Sequence, residues 1–157
     1  MRDDNINDVL HIIAMACFGL ALIFGVASVV LADDAFGAPD NATLVIVGES
    51  HGGNVAAFEK TAFSYIRNGT KLVINGRCDS ACTMAADLVY RAGGNVCVTD
   101  NAVFGYHLAY NHVTGKHWNM IYGKEVMDYV VSHGGWVEHG TVDVGHKVLQ
   151  KWYGRCE

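Results

Sequence analysis

A serine at position 80 and a histidine at position 107 are the two residues of this chain best placed to do chemistry together. Ser80 sits in Cys78-Asp79-Ser80-Ala81-Cys82, at the head of a small, apolar segment that runs to residue 92 and stops at Gly93-Gly94. His107 ends the second of two short β-prone segments, residues 95–99 and 102–107. This places a hydroxyl at a helix N-terminus and an imidazole at a strand end, a layout suited to nucleophilic catalysis. A serine hydroxyl attacks poorly until a base takes its proton, and His107 is the candidate base. The competing reading makes Ser80 a helix cap, a role serine fills well.

The elements that must position this pair are legible from periodicity. Residues 43–48 (TLVIVG) and 71–75 (KLVIN) are short apolar runs, read as buried parallel strands. Between them, residues 49–54 form a turn and residues 55–68 a helix. Val55, Phe58, Ala62 and Ile66 share one face of that helix, and Gly69 stops it. Residues 76–79 then turn into a helix over 80–92. The core reads β-α-β-α-β-β, an α/β pattern with right-handed crossovers. Beyond residue 110 a polar loop (111–119) precedes a helix over 121–132, a turn at 140–142 and a last helix over 144–153.

The chain has 157 residues, about half of them apolar, and a formal net charge of −5 without a Lys/Arg run. That argues against a nucleic-acid partner, which needs a clustered basic face. Residues 9–32 contain no Lys, Arg, Asp or Glu. Such a run is long enough to cross a hydrocarbon core of about 30 Å as a helix. A cleaved signal peptide ending at Val30-Leu31-Ala32 and an uncleaved anchor both fit it, and either exports the remainder of the chain. The expected organisation is therefore a signal or membrane anchor over 1–32, a linker over 33–42 and one domain over 43–157. The domain is expected in the periplasm or on the periplasmic side of the inner membrane. Four of the five cysteines lie in it: Cys78, Cys82, Cys97 and Cys156. An even count in an exported domain suits disulfides, and Cys78 and Cys82, which bracket Ser80, are the expected pair. In a reducing compartment all four would be ordinary thiols.

Three motifs, in this order and spacing, resemble the Clp-protease-like part of the ClpP/crotonase superfamily. They are most similar to its small exported members with a Cys-x-Ser-Ala-Cys core. The first is Glu49-Ser50-His51-Gly52-Gly53-Asn54-Val55, similar to the family's Asn-Ser-Pro-Gly-Gly-x-Val turn, with His51 where the family has proline. The second is the segment from Cys78 to Cys82, where the family places its nucleophile. The third is Asn101 to His107, where a strand ends in the catalytic histidine. The resemblance covers about residues 43–110 and implies a ClpP/crotonase-like spiral of β-α-β units.

The same resemblance implies a serine hydrolase acting on a peptide or protein through a Ser80 acyl-enzyme, with His107 as acid and base. Backbone amides of Gly52 and Ala81 would form the oxyanion hole. The position of the family's acid falls near Asp143. Asp128 is the other acid in reach, and a Ser-His dyad without an acid is a further option. No cofactor is implied, and a homo-oligomer is open. His107, His112 and His117 recur every five residues, but no helical His pair or H-E-x-x-H motif occurs, so no metal site is expected. Two other classes compete: a catalytically silent domain serving as a membrane-associated binding module, and an acyl-CoA enzyme of the crotonase type.

Overall fold

Strand β3, Lys71–Asp79, is the middle of the molecule. A computed structural model of the chain describes residues 29–32, 42–111, 113–118 and 121–157. Residues 1–28, which hold most of the uncharged run, lie outside the described residues, as do His112 and all of the expected linker except Ala42. The last four residues of the uncharged run, Val29–Ala32, are extended and form β1. They pair in parallel with β2, Leu44–Ser50. No helix of the described residues is long and apolar enough to cross a membrane.

The protein is a mixed α/β structure with four helices among the described residues. Its main sheet has the order β1-β2-β3-β5-β8. The lower half of β3 (Leu72 to Ile74) takes β4, Val96–Val98, as its parallel neighbour. The upper half (Arg77 to Asp79) takes β5, Val103–Tyr106. Strand β8, Val142–Gly145, closes the edge antiparallel to β5.

The strands differ from the sequence expectation in three places. Strand β3 runs to Asp79, through the residues expected to turn. A backbone contact explains it. A Cβ at Gly76 would stand 1.7 Å from the Gly48 carbonyl oxygen, so only glycine lets β2 and β3 stay this close. The register shift between Val47 and Glu49 lies at the same level. The second difference is β8, which runs from the end of the turn expected over 140–142 into the first residues of the helix expected over 144–153. Its Val-Asp-Val-Gly run alternates, with Val144 the one fully enclosed residue, but four residues are too few for the period to stand out in sequence. A two-stranded hairpin, β6 (Ala109–Asn111) and β7 (Lys116–Trp118), also replaces part of the expected polar loop.

The helix over residues 55–68 packs on the face its apolar residues predict, with Phe58 and Ala62 buried and Val55 and Ile66 against the core. Helix α1, Val55–Asn68, starts at Asn54, whose side chain accepts from the Ala57 N–H at 3.2 Å, and ends at Gly69 in the left-handed region. Helix α2, Ala81–Arg91, is the buried one: residues 81 to 87 and Val89 are enclosed. Small side chains let its backbone lie close to the sheet and to α1. Helix α3, Lys124–Ser132, and helix α4, His146–Tyr153, complete the set. The buried Asp87 carboxylate ties three of them together. It accepts from Arg91 Nε at 2.7 Å, the Gly123 N–H at 3.0 Å and the Tyr153 hydroxyl at 3.2 Å. A buried charge with that many partners is tolerated where an unpaired one would not be.

Candidate active site

Ser80 is the only non-glycine residue with positive φ among the described residues, at φ 57° and ψ −121°. An L-residue held in such a region costs about 1–3 kcal/mol and persists only where its surroundings fix it. They do so here. The Ser80 N–H donates to the Gly105 carbonyl at 3.0 Å. Its own carbonyl accepts from the Met84 N–H at 3.2 Å and the Thr83 hydroxyl at 2.6 Å. Since Thr83 spends its proton on Ser80, the Tyr122 hydroxyl must donate to Thr83 Oγ1, 2.8 Å away. Burial pushes the Tyr122 phenol well up, so it stays neutral and able to donate. The Cys78–Cys82 disulfide spans the same turn, with Cα atoms 5.4 Å apart.

The Ser80 side chain does not cap α2. A cap residue takes an extended backbone and accepts from the first helical turn; Ser80 does neither. The capping alternative therefore has no geometric support.

His107 lies two residues beyond Gly105, the residue that receives the Ser80 N–H, so both stand at the carboxyl ends of neighbouring parallel strands. Its Nδ1 is 2.9 Å from the Leu108 carbonyl oxygen. A carbonyl only accepts, so Nδ1 carries the proton and Nε2 keeps the lone pair that a general base needs. No hydrogen bond joins Ser80 Oγ to His107 in this structure. Catalytic bonds are often long before substrate binds.

Of the other expected site residues, Gly52 lies directly against Ser80. A Cβ there would be 2.7 Å from Ser80 Cβ and from the Asp79 carbonyl oxygen, and its φ is +79°. Its N–H donates to Ser50 Oγ at 3.3 Å. The Ala81 N–H is in the first turn of α2, where no intrahelical acceptor exists. Asp143 is on β8, the neighbour of the strand β5 that His107 follows, and is not hydrogen-bonded to that histidine. It receives Arg77 through two parallel bonds of 3.0 and 3.1 Å and the Thr141 hydroxyl at 2.6 Å. Hydrogen bonding from Arg77 holds its carboxyl below the usual value. Asp128 pairs with Lys124 on the outside of α3. Neither expected acid bonds His107; its Nδ1 partner is the Leu108 carbonyl.

Sequence reasoning missed a charged rung beside the site. Asp79, Gly105 and Asp143 stand level on three adjacent strands. Arg77 reaches across them, with Nε on Asp79 Oδ2 at 2.8 Å and its fork on Asp143. A Cβ at Gly105 would meet Asp79 Oδ1 at 2.1 Å. The alternation Arg77-x-Asp79 was the available signal, once β3 is seen to continue that far. Two clefts flank the β6–β7 hairpin. One, of about 490 Å³, is lined by His107, Leu108, Tyr110, His117, Glu138 and His139. The other, of about 500 Å³, opens beside Gly53 and Asn54 and shares Tyr110. No group of three or more His, Cys, Asp or Glu among the described residues is placed to hold a metal ion.

Comparison with known proteins found no matching family model, no matching curated protein and no matching solved structure. The chemistry of the site therefore rests on its own geometry.

Proposed function

We propose that the protein is an exported, ClpP/crotonase-like serine hydrolase, acting on peptides or proteins without a cofactor. The backbone of Ser80 carries this reading. A serine that does not cap its helix, yet is held at φ 57° by three backbone hydrogen bonds and a flanking disulfide, is strained without structural return. Such strain is expected where a side chain must be presented to a substrate. His107, with Nε2 as its basic nitrogen, takes the Ser80 proton as the hydroxyl attacks the carbonyl carbon. It later returns that proton to the leaving group. The Ala81 N–H at the helix start stabilises the developing oxyanion. Gly52 joins it by turning its N–H from Ser50 toward the substrate oxygen. A glycine makes such a turn at little cost. The two disulfides support an oxidising compartment. The clefts on either side of the hairpin leave room for a chain to pass the site.

A second reading, a silent binding module, draws on the absence of a Ser80–His107 bond and on the Gly52 N–H being held by Ser50. Hydrolysis of an activated ester separates the two. The hydrolase reading expects a burst of leaving group, one per chain, before slower turnover. Ser80→Ala and His107→Ala should each abolish it, and the double variant should lose no more than either, because the pair acts as one unit. No burst from folded protein favours the module.

A further inference from the structure

We infer that His51 is a positioning residue for the oxyanion side of this site, an inference that rests on the hydrolase reading above. The site needs two strand ends in register: residues 51–54, which follow β2, and residues 80–81, which follow β3. Their contact is intimate, since a Cβ at Gly52 would collide with Ser80 and would lie 2.9 Å from the Ala81 nitrogen. Sheet pairing holds this segment only as far as Ser50, which stands opposite Cys78. Gly52 and Gly53 both have positive φ, at 79° and 145°, and neither carries a side chain to hold it.

Past the end of the sheet pairing, His51 adds a side-chain tie. Its Nδ1 is 3.3 Å from Asp79 Oδ2, and its Nε2 is 3.2 Å from Glu49 Oε1. Among the described residues this is the only side-chain hydrogen bond from residues 49–54 to the segment 77–81. Its anchor is firm. Asp79 is buried, directly precedes Ser80, and is itself held by Arg77 Nε at 2.8 Å. The imidazole thus links the residue before Gly52 to the residue before Ser80. Moving it moves the Gly52 amide relative to the hydroxyl.

His51 touches no reacting atom in this arrangement and acts through Gly52 and Asp79. Its side chain is 72% exposed, so it adds little to stability. Its contribution is alignment, and a misplacement of about 1 Å can cost on the order of 100-fold in rate.

The test uses the full chain and a fluorophosphonate probe, with labelling of Ser80 measured over time at several probe concentrations. His51→Ala should lower the limiting rate by about 10- to 100-fold. The half-saturating concentration and the Tm should stay unchanged. His51→Gln, which keeps an N–H to offer Asp79, should recover most of the rate. His51→Ala labelling at the wild-type rate overturns the inference. Equal slowing in both variants together with a lowered Tm also overturns it, since that marks a structural role only. Wild-type protein that takes no label overturns the hydrolase reading itself, and this inference with it.

Discussion

At residue scale, the strain at Ser80 makes a prediction that separates presentation from packing. Ser80→Gly removes the steric cost of φ 57° and should raise stability by about 1 kcal/mol, measured by denaturant unfolding, while abolishing reaction. An ordinary cap would show the reverse sign. Gly105→Ala should be severely destabilising, because its Cβ would fall 2.1 Å from Asp79 Oδ1 in a fixed strand; loss of soluble folded protein is the readout. Ser80 and His107 stood out as candidates from residue type and spacing, and Gly52 from the resemblance of its turn. The close approach that makes Gly52 obligatory did not, because it depends on Ser80 and Ala81 arriving from another strand.

At the scale of elements, Asp143 changes role. It stands level with Gly105 on β8 and belongs to the ionic rung that ties β3 to β8 across β5. Asp143→Asn should leave most of the activity. At neutral pH it should cost about 1 kcal/mol, a figure kept low by the half-exposed carboxylate. The sign with pH is set by Asp143's lowered folded pKa. The stabilisation is full above the unfolded carboxylate value, near about pH 4, and fades as pH falls through the folded value. Wild type and variant should therefore converge in stability on acidification, as urea titrations at several pH values would show. The sequence displayed helix α1 and the start of β3 clearly, since both carry strong apolar periodicity. It hid the end of β3, where polar Arg77 and Asp79 alternate in a strand, and it hid β8, whose pairing partner is 40 residues earlier.

At the scale of the whole molecule, the two disulfides do different work. Cys97–Cys156 closes a separation of 59 residues and staples β4 to the chain end, where Val98 bonds Gly154 and Cys156 on either side. By loop entropy it should contribute about 4 kcal/mol, and Cys97→Ala/Cys156→Ala should lower stability by an amount of that order in denaturant melts. Cys78–Cys82 spans only four positions, so its removal should cost less stability and more reactivity, through loosening of the Ser80 turn. An even set of four cysteines was visible in sequence. Which distant partner Cys97 takes was not, because composition cannot place β4 beside the C-terminus.

The most direct measurement is peptide mapping of the oxidised, folded chain after exposure to a fluorophosphonate. The expected result is one adduct per chain, on Ser80. Ser80→Ala should lose it, His107→Ala should slow it strongly and Asp143→Asn should retain it. Folded wild-type protein without an adduct, or an adduct that survives in Ser80→Ala, would contradict the assignment of Ser80 as the nucleophile.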